Sequence, residues 1–231
     1  MMVREPWLDE IAAARHGLDR SSTAARVADL LRAQITDGRL VPGTRLPDKD
    51  LAKAMDVSRN TMREAFQMLV KERLLVHEFN RGTFVRRVPA DDLADLYRVR
   101  RLLECEAVRD AADGAPAALG RVEAAVLEGE RASAAGNWKD VGTADILFHK
   151  AIVALMDSPR AYEVIEHLLA EMRLVFHEMG SPREFHEPYL ARNRRLYDLL
   201  ARGDFAEAER ELRSYLDDAE EQLTKAYREK A

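Results

Sequence analysis

Two sets of residues in this 231-residue chain have types and spacings suited to chemistry. In DVSRNTMREAFQMLVKE, residues 56–72, Arg59, Asn60, Arg63 and Gln67 fall on one side of a helical repeat. These side chains hydrogen-bond base edges well, Arg with guanine and Asn or Gln with adenine, and Arg, Ser58 and Thr61 can also hold phosphates. In ADILFHKAIVALMDSP, Asp145 and His149 stand at i and i+4, so both point the same way, a workable spacing for two ligands of one divalent ion. Each set also has a plainer reading: a solvated helix face for the first, a hydrogen-bonded core pair for the second.

The elements that must position these residues separate the readings. Met62, Ala65, Phe66, Leu69 and Val70 recur at i, i+3, i+4, i+7 and i+8, a buried stripe that leaves Arg59, Asn60, Arg63 and Gln67 outside. Asp56 or Ser58 can cap that helix. Upstream, Val27, Leu30, Leu31, Gln34 and Ile35 predict a helix from Thr23 that stops at Gly38. VPGTRLP is a turn, and residues 48–55 form a short helix with Leu51, Ala52 and Met55 inward. Two helices joined by so short a turn make a helix-turn-helix. LLVHEFNRGTFVRRV, residues 74–88, is rich in β-formers and broken at Asn80, Arg81 and Gly82, as a β-hairpin with a basic tip would be. Gly82 permits positive φ and close approach, and Asn80 and Arg81 can meet the phosphate backbone or the adjacent minor groove. The order predicts a winged helix-turn-helix over residues 21–88. Residues 1–20, with only Trp7, Leu8 and Ile11 in a pattern, are expected to be a flexible arm.

After Pro89 no segment reads as a strand. Breaks at residues 113–116, 135–137, 157–159, 180–182 and 202–204 each supply Gly, Pro or a capping side chain, predicting about six helices in an all-α bundle over residues 89–231. The fold class is therefore mainly α. The formal net charge of −5 hides an asymmetry: residues 21–88 carry 13 Lys+Arg against 8 Asp+Glu, and residues 89–231 carry 20 against 29. A basic module joined to an acidic one suits two different partners. No apolar run is long enough to cross a bilayer and no secretory apolar core opens the chain, so a cytoplasmic protein without a membrane partner is expected. The single cysteine, Cys105, excludes an intrachain disulfide and a cysteine-built zinc site. Among Leu102, Leu103, Ala107 and Val108 it reads as a packing residue.

The run GTRLPDKDLAKAMDVSRNTMREAFQMLVKERLLVHEFNRGTFV resembles the DNA-binding domain of the GntR superfamily of bacterial transcription regulators. That resemblance implies that Arg45, Lys49, Ser58, Arg59, Asn60, Thr61, Arg63, Asn80, Arg81 and Gly82 meet double-stranded DNA. PDKD departs from the Glu, Arg, Glu common there but keeps the charge order. YRVRRLLECEAVRDAAD, ADILFHKAIVALMDSP and LLARGDFAEAERELRSYL resemble, in order, the FCD effector domain of the FadR-like branch, and six helices place the chain nearer the VanR-like subgroup. The resemblance implies an effector-binding bundle, a homodimer and allosteric control of DNA binding. Arg100 occupies the pocket-facing arginine position, where a guanidinium can hold a carboxylate with two parallel hydrogen bonds; an i+4 ion pair with Glu104 is the alternative. In metal-binding FCD domains two further ligands are histidines, and those positions here are Asn193 and Tyr215. Asn is a weak ligand and neutral Tyr a poor one, so a bound divalent metal is disfavoured, and Asp145, His149, Asn193 and Tyr215 could bind an effector directly. His186 and His177 are possible substitutes, but Pro188 is expected to separate His186 from the helix carrying Asn193.

The resulting expectation is a homodimeric regulator, most often a repressor, that binds an imperfect palindrome and responds to an organic-acid metabolite. A metal-dependent hydrolase with an accessory DNA-binding domain is the rival, and it lacks a third secure ligand and a general base. A purely architectural DNA protein would instead have a filled apolar bundle interior.

Overall fold

The computed structural model describes residues 15–113, 116–177, 179 and 181–230. Trp7, Leu8 and Ile11 lie outside the described residues. The chain forms two compact units, one holding Arg39–Arg86 and the chain up to Ile35, the other Thr36–Gly38 and the chain from Arg87.

In the first unit α1 (Arg15–Thr36) begins inside the stretch expected as an arm. It buries Ala24, Val27, Ala28, Leu31 and Ile35, while Leu30 is 56% exposed. Strand β1 (Arg45–Leu46) runs through what reads as a turn. It extends the hairpin of β2 (Leu75–Glu78) and β3 (Gly82–Val85) into an antiparallel sheet of order β1-β3-β2. Between them lie α2 (Asp48–Ala54) and α3 (Arg59–Lys71). Of Leu51, Ala52 and Met55 only Ala52 is fully buried. Helix α3 sets Met62, Ala65, Phe66 and Leu69 into the core, but Val70 is 38% exposed. Arg32 of α1 reaches Glu72, just beyond α3, with two parallel hydrogen bonds of 2.8 and 2.7 Å, fixing the end of α3.

The second unit has six α-helices among the described residues: α4 (Ala90–Asp110), α5 (Pro116–Ala134), α6 (Trp138–Val153), α7 (Pro159–His177), α8 (Pro182–Arg202) and α9 (Phe205–Lys230). Asn137 caps α6 and Ser181 caps α8, each accepting from the amide three residues on. Gly203, at φ 79°, ends α8 in the left-handed conformation that glycine tolerates best. Helix α6 is buried on most of its circumference, from Val141 to Val153. It therefore carries its polar residues into the bundle. Cys105 of α4 is buried, and burial is the first cause that pushes its thiol up to about 11.

Candidate DNA interface and buried polar centre

The outer face of α3 is built as the spacing predicts. Ser58 caps the helix by accepting from the Thr61 amide at 3.1 Å, which satisfies one free amide of the first turn and fixes where the helix starts. Arg59, Asn60 and Gln67 are exposed, as is Arg63, which donates to Asp48 Oδ2 at 3.3 Å. Thr61 is a different case. It is 7% exposed and its hydroxyl shares a 2.8 Å hydrogen bond with Ser58, so its position is that of a capping partner. Arg45 and Lys49 are exposed. Arg45, Arg63, Gln67 and Gly82 line one concavity of about 760 Å³, so wing and helix share a face. At the tip Asn80 takes φ 61° and Gly82 φ 108°; a Cβ on Gly82 would meet Arg45 Nε at 3.5 Å. Arg81 pairs with Glu78 and lies over the Phe84 ring, 5.6 Å from its centroid.

The bundle brings together all five residues expected at an effector site. Tyr215 donates to Asp145 Oδ1 at 2.9 Å and Asn193 Nδ2 donates to the same oxygen at 3.1 Å. His149 Nε2 lies 3.3 Å from the Tyr215 hydroxyl, and its Nδ1 lies 2.5 Å from Glu104 Oε2. Glu104 in turn accepts from Arg100 Nε at 2.8 Å. Polar groups from α4, α6, α8 and α9 thus form one chain of hydrogen bonds: Arg100, Glu104, His149, Tyr215, Asp145, Asn193. The link through Glu104 was not visible in the sequence beyond its i+4 spacing from Arg100, because its second oxygen meets a residue 45 positions away.

His186 is a correction. Helix α8 runs unbroken through Pro188, so His186 and Asn193 share it. His186 is 3% exposed, with Nδ1 3.9 Å from Asp145 Oδ2. Pro188 removes the amide that would bond the Glu184 carbonyl. Gln222 Nε2 from α9 approaches that carbonyl at 3.5 Å while accepting from the Tyr189 hydroxyl at 2.9 Å. A donor 34 residues beyond the proline leaves no local signal in sequence. His177 closes α7, and its ring stands against Gly38.

Electrostatics keep the centre ionised at its carboxylates. Burial pushes the Glu104 carboxyl up, but the Arg100 guanidinium and the His149 ring outweigh it and hold it below the usual range. Burial likewise opposes ionisation of Asp145. His149, His186, Asn193 and Tyr215 together bring it below the ordinary aspartate value. Burial, then Asp145, raises the Tyr215 phenol well above normal, so it stays a donor. Burial lowers His186, with Arg173 adding to the effect against Asp145. This donor set does not fit the metal that the FCD resemblance implies. The two histidine positions hold Asn193 and Tyr215, neutral groups that both turn a hydrogen toward Asp145 Oδ1 and so present no imidazole lone pair to an ion.

Three buried polar atoms of the centre lack a hydrogen-bond partner: Arg100 Nη2, Asn193 Oδ1 and His186 Nδ1. The space at Asp145, His186 and Asn193 is only about 10 Å³, roughly one water's worth. Ala125 and Ala144 line that space and also an open groove of about 530 Å³ along α5, α6 and α7.

Comparison with known proteins decides the family. Residues 23–85 match the bacterial regulatory proteins of the gntR family, and residues 95–218 match the FCD domain. The chain belongs to the GntR family. A solved GntR transcriptional regulator from Rhodococcus sp. RHA1 is 47% identical, with a TM-score of 0.83 over 89% of this chain and 99% of its own. BphR of Paraburkholderia xenovorans, an HTH-type transcriptional regulator, is 44% identical over 79 residues, 34% of this chain; the match spans 32% of its length. RspR of Escherichia coli, an HTH-type transcriptional repressor, is 25% identical over 198 residues, 84% of this GntR-family chain and 86% of RspR.

Proposed function

We propose that this chain is a transcription regulator, acting as a repressor, whose residues 21–88 bind an inverted-repeat operator as a homodimer. Residues 89–231 dimerise and sense a small carboxylate metabolite. The observation that carries the DNA reading is the single face shared by α3 and the wing. Arg59, Asn60, Arg63 and Gln67 stand outside on a helix whose opposite side is core, with Arg45 and Gly82 beside them. Arg59, Asn60 and Arg63 read bases; Arg45, Lys49, Ser58, Asn80, Arg81 and Gly82 set the register on the backbone. Thr61 acts through the cap.

For the effector, the polar centre argues against a purely architectural protein, because six polar side chains converge where an apolar filling would be more stable. Arg100 Nη2, Asn193 Oδ1 and His186 Nδ1 each lack a hydrogen bond, and Asn193 and His186 line the same small space; the ligand we infer is a carboxylate for the guanidinium with a hydroxyl or carbonyl for the other two. A metabolite must displace the thin Ala125–Ala144 wall, and that movement would carry the signal. The hydrolase alternative gains nothing from the geometry, since Asp145 and His149 are spent on neighbouring side chains.

Selection of bound sequences from random duplexes tests the first half: recovery of an inverted repeat supports it, and the absence of any enriched sequence refutes it. A thermal-shift panel of hydroxy- and keto-acids tests the second. The Arg100→Met variant should lose the stabilisation that the best acid gives the wild type.

A further inference from the structure

The wing tip carries a side chain that neither core packing nor charge explains. Phe79 is 86% exposed, whereas the other aromatic of the hairpin, Phe84, is partly buried and roofed by Arg81. The Arg81 amide donates to the Glu78 carbonyl at 3.1 Å, so Phe79 and Asn80 are the two central residues of the turn. Asn80, the second central residue, takes φ 61°, a left-handed conformation that asparagine tolerates better than most side chains. Arg81 folds back onto Glu78 and Phe84. Phe79 and Asn80 therefore lead at the tip.

We propose that Phe79 is an apolar wedge that enters the minor groove beside each half-site, partly unstacks one base step and bends the duplex. The proposal rests on the DNA-binding reading above. Its occupant is set by charge: Arg45, Lys49, Arg59, Arg63 and Arg81 are all exposed on the same unit, and the partner they attract is a polyanion. A phenyl ring gains nothing from phosphates. The apolar surfaces that a duplex offers are the sugar walls of the minor groove and the faces of stacked bases. A ring at the tip of a wing whose base lies against the recognition helix meets them in the groove next to the one that helix reads. Pyrimidine–purine steps unstack most easily, so the operator should carry TA or CA at a fixed offset from each half-site centre, a preference expressed without any hydrogen bond to a base. Because the ring releases no counterions, it contributes affinity that salt does not weaken.

The test uses the full chain and the duplex recovered by selection with it. Phe79→Ala and Phe79→Leu are compared with wild type for affinity at several salt concentrations, and for bend angle by circularly permuted fragments. The expected result is a loss of about tenfold in affinity for Phe79→Ala, an unchanged salt slope and a smaller bend, with Phe79→Leu retaining most of both. 2-Aminopurine at the flanking step should brighten on binding wild type and not Phe79→Ala. Wild-type affinity and bend in Phe79→Ala overturn the proposal. So does a reduced salt slope, which would mean the ring only positions Arg81. Altered sedimentation of free Phe79→Ala, with its DNA complex unchanged, assigns the ring to a protein contact instead. If wild type enriches no duplex, the DNA-binding reading itself fails, and the wedge with it.

Discussion

At the residue scale, the recognition face and the buried centre differ in how much each side chain stands alone. Arg59 is exposed and makes no side-chain hydrogen bond or ion pair among the described residues, so Arg59→Ala should remove base contact without unfolding anything. Loss of about 1–3 kcal/mol of operator affinity is expected for it and for Arg63→Ala, whereas Arg81→Ala should mainly flatten the salt dependence. Gel shifts at several ionic strengths measure both; unchanged affinity in the two recognition-helix variants rejects the assigned face. The buried centre behaves as a unit. Asn193 and Tyr215 hold Asp145 by donating to one of its oxygens. Exchanging both for histidine should therefore turn a hydrogen-bonded carboxylate into an Asp and three-His zinc site. Elemental analysis should find no stoichiometric transition metal in the wild type and about one zinc per chain in Asn193→His with Tyr215→His. One metal per wild-type chain would show that the donor set does hold an ion, and no metal in either protein would mean that histidines at these two positions cannot close a tetrahedron with Asp145 and His149.

At the scale of elements, periodicity made α3 legible: one stripe of Met62, Ala65, Phe66 and Leu69 fixed both its core side and its outer face. It misjudged Val70, because the spacing of apolar residues gives a helix its direction but not the width of the element that covers it. The route of α8 was illegible for a different reason. A proline in its second turn reads as a break, yet the helix continues, with the Gln222 amide of α9 near the carbonyl that the proline deprives of its helical donor. That repair is partial, since a 3.5 Å approach replaces a regular helical hydrogen bond. Pro188→Ala should restore the regular bond and raise unfolding stability by about 1–3 kcal/mol, less than the full interior-proline penalty. Urea titration checks it. Because His186, Tyr189 and Asn193 ride on this helix, the same variant should also respond less to the effector; a fall in stability would show that the proline shape is itself required by the packing.

At the scale of the whole molecule, the asymmetry of charge follows the two matched domains, the gntR-type module over residues 23–85 and the FCD domain over residues 95–218, and the proposed assembly and the acid response both rest on the second. Two recognition helices per inverted repeat require two chains. Sedimentation of residues 89–231 should show a dimer, and a monomeric fragment beside a dimeric full chain would move the interface to the winged helix. The acid response follows from three groups. His186, Glu104 and Asp145 all bind protons more weakly in the folded chain than in the unfolded one. Their contribution is therefore whole above about pH 6.5 and is lost as pH falls, first through the histidine range and then below about 4.5 through the carboxylates. Melting temperatures in a pH series should fall in those two stages, and His186→Gln should lack only the first; a wild-type melting temperature that holds down to pH 5 would refute the histidine stage. Cys105 has a consequence of another kind. The chain has one thiol, and it is sealed inside α4 with its proton held tightly. A thiol reagent such as a disulfide dye can reach it only when the bundle breathes, so the colour released per minute reports the fraction of time the bundle stands open. Slower colour in the presence of a candidate metabolite would report binding without any DNA in the tube.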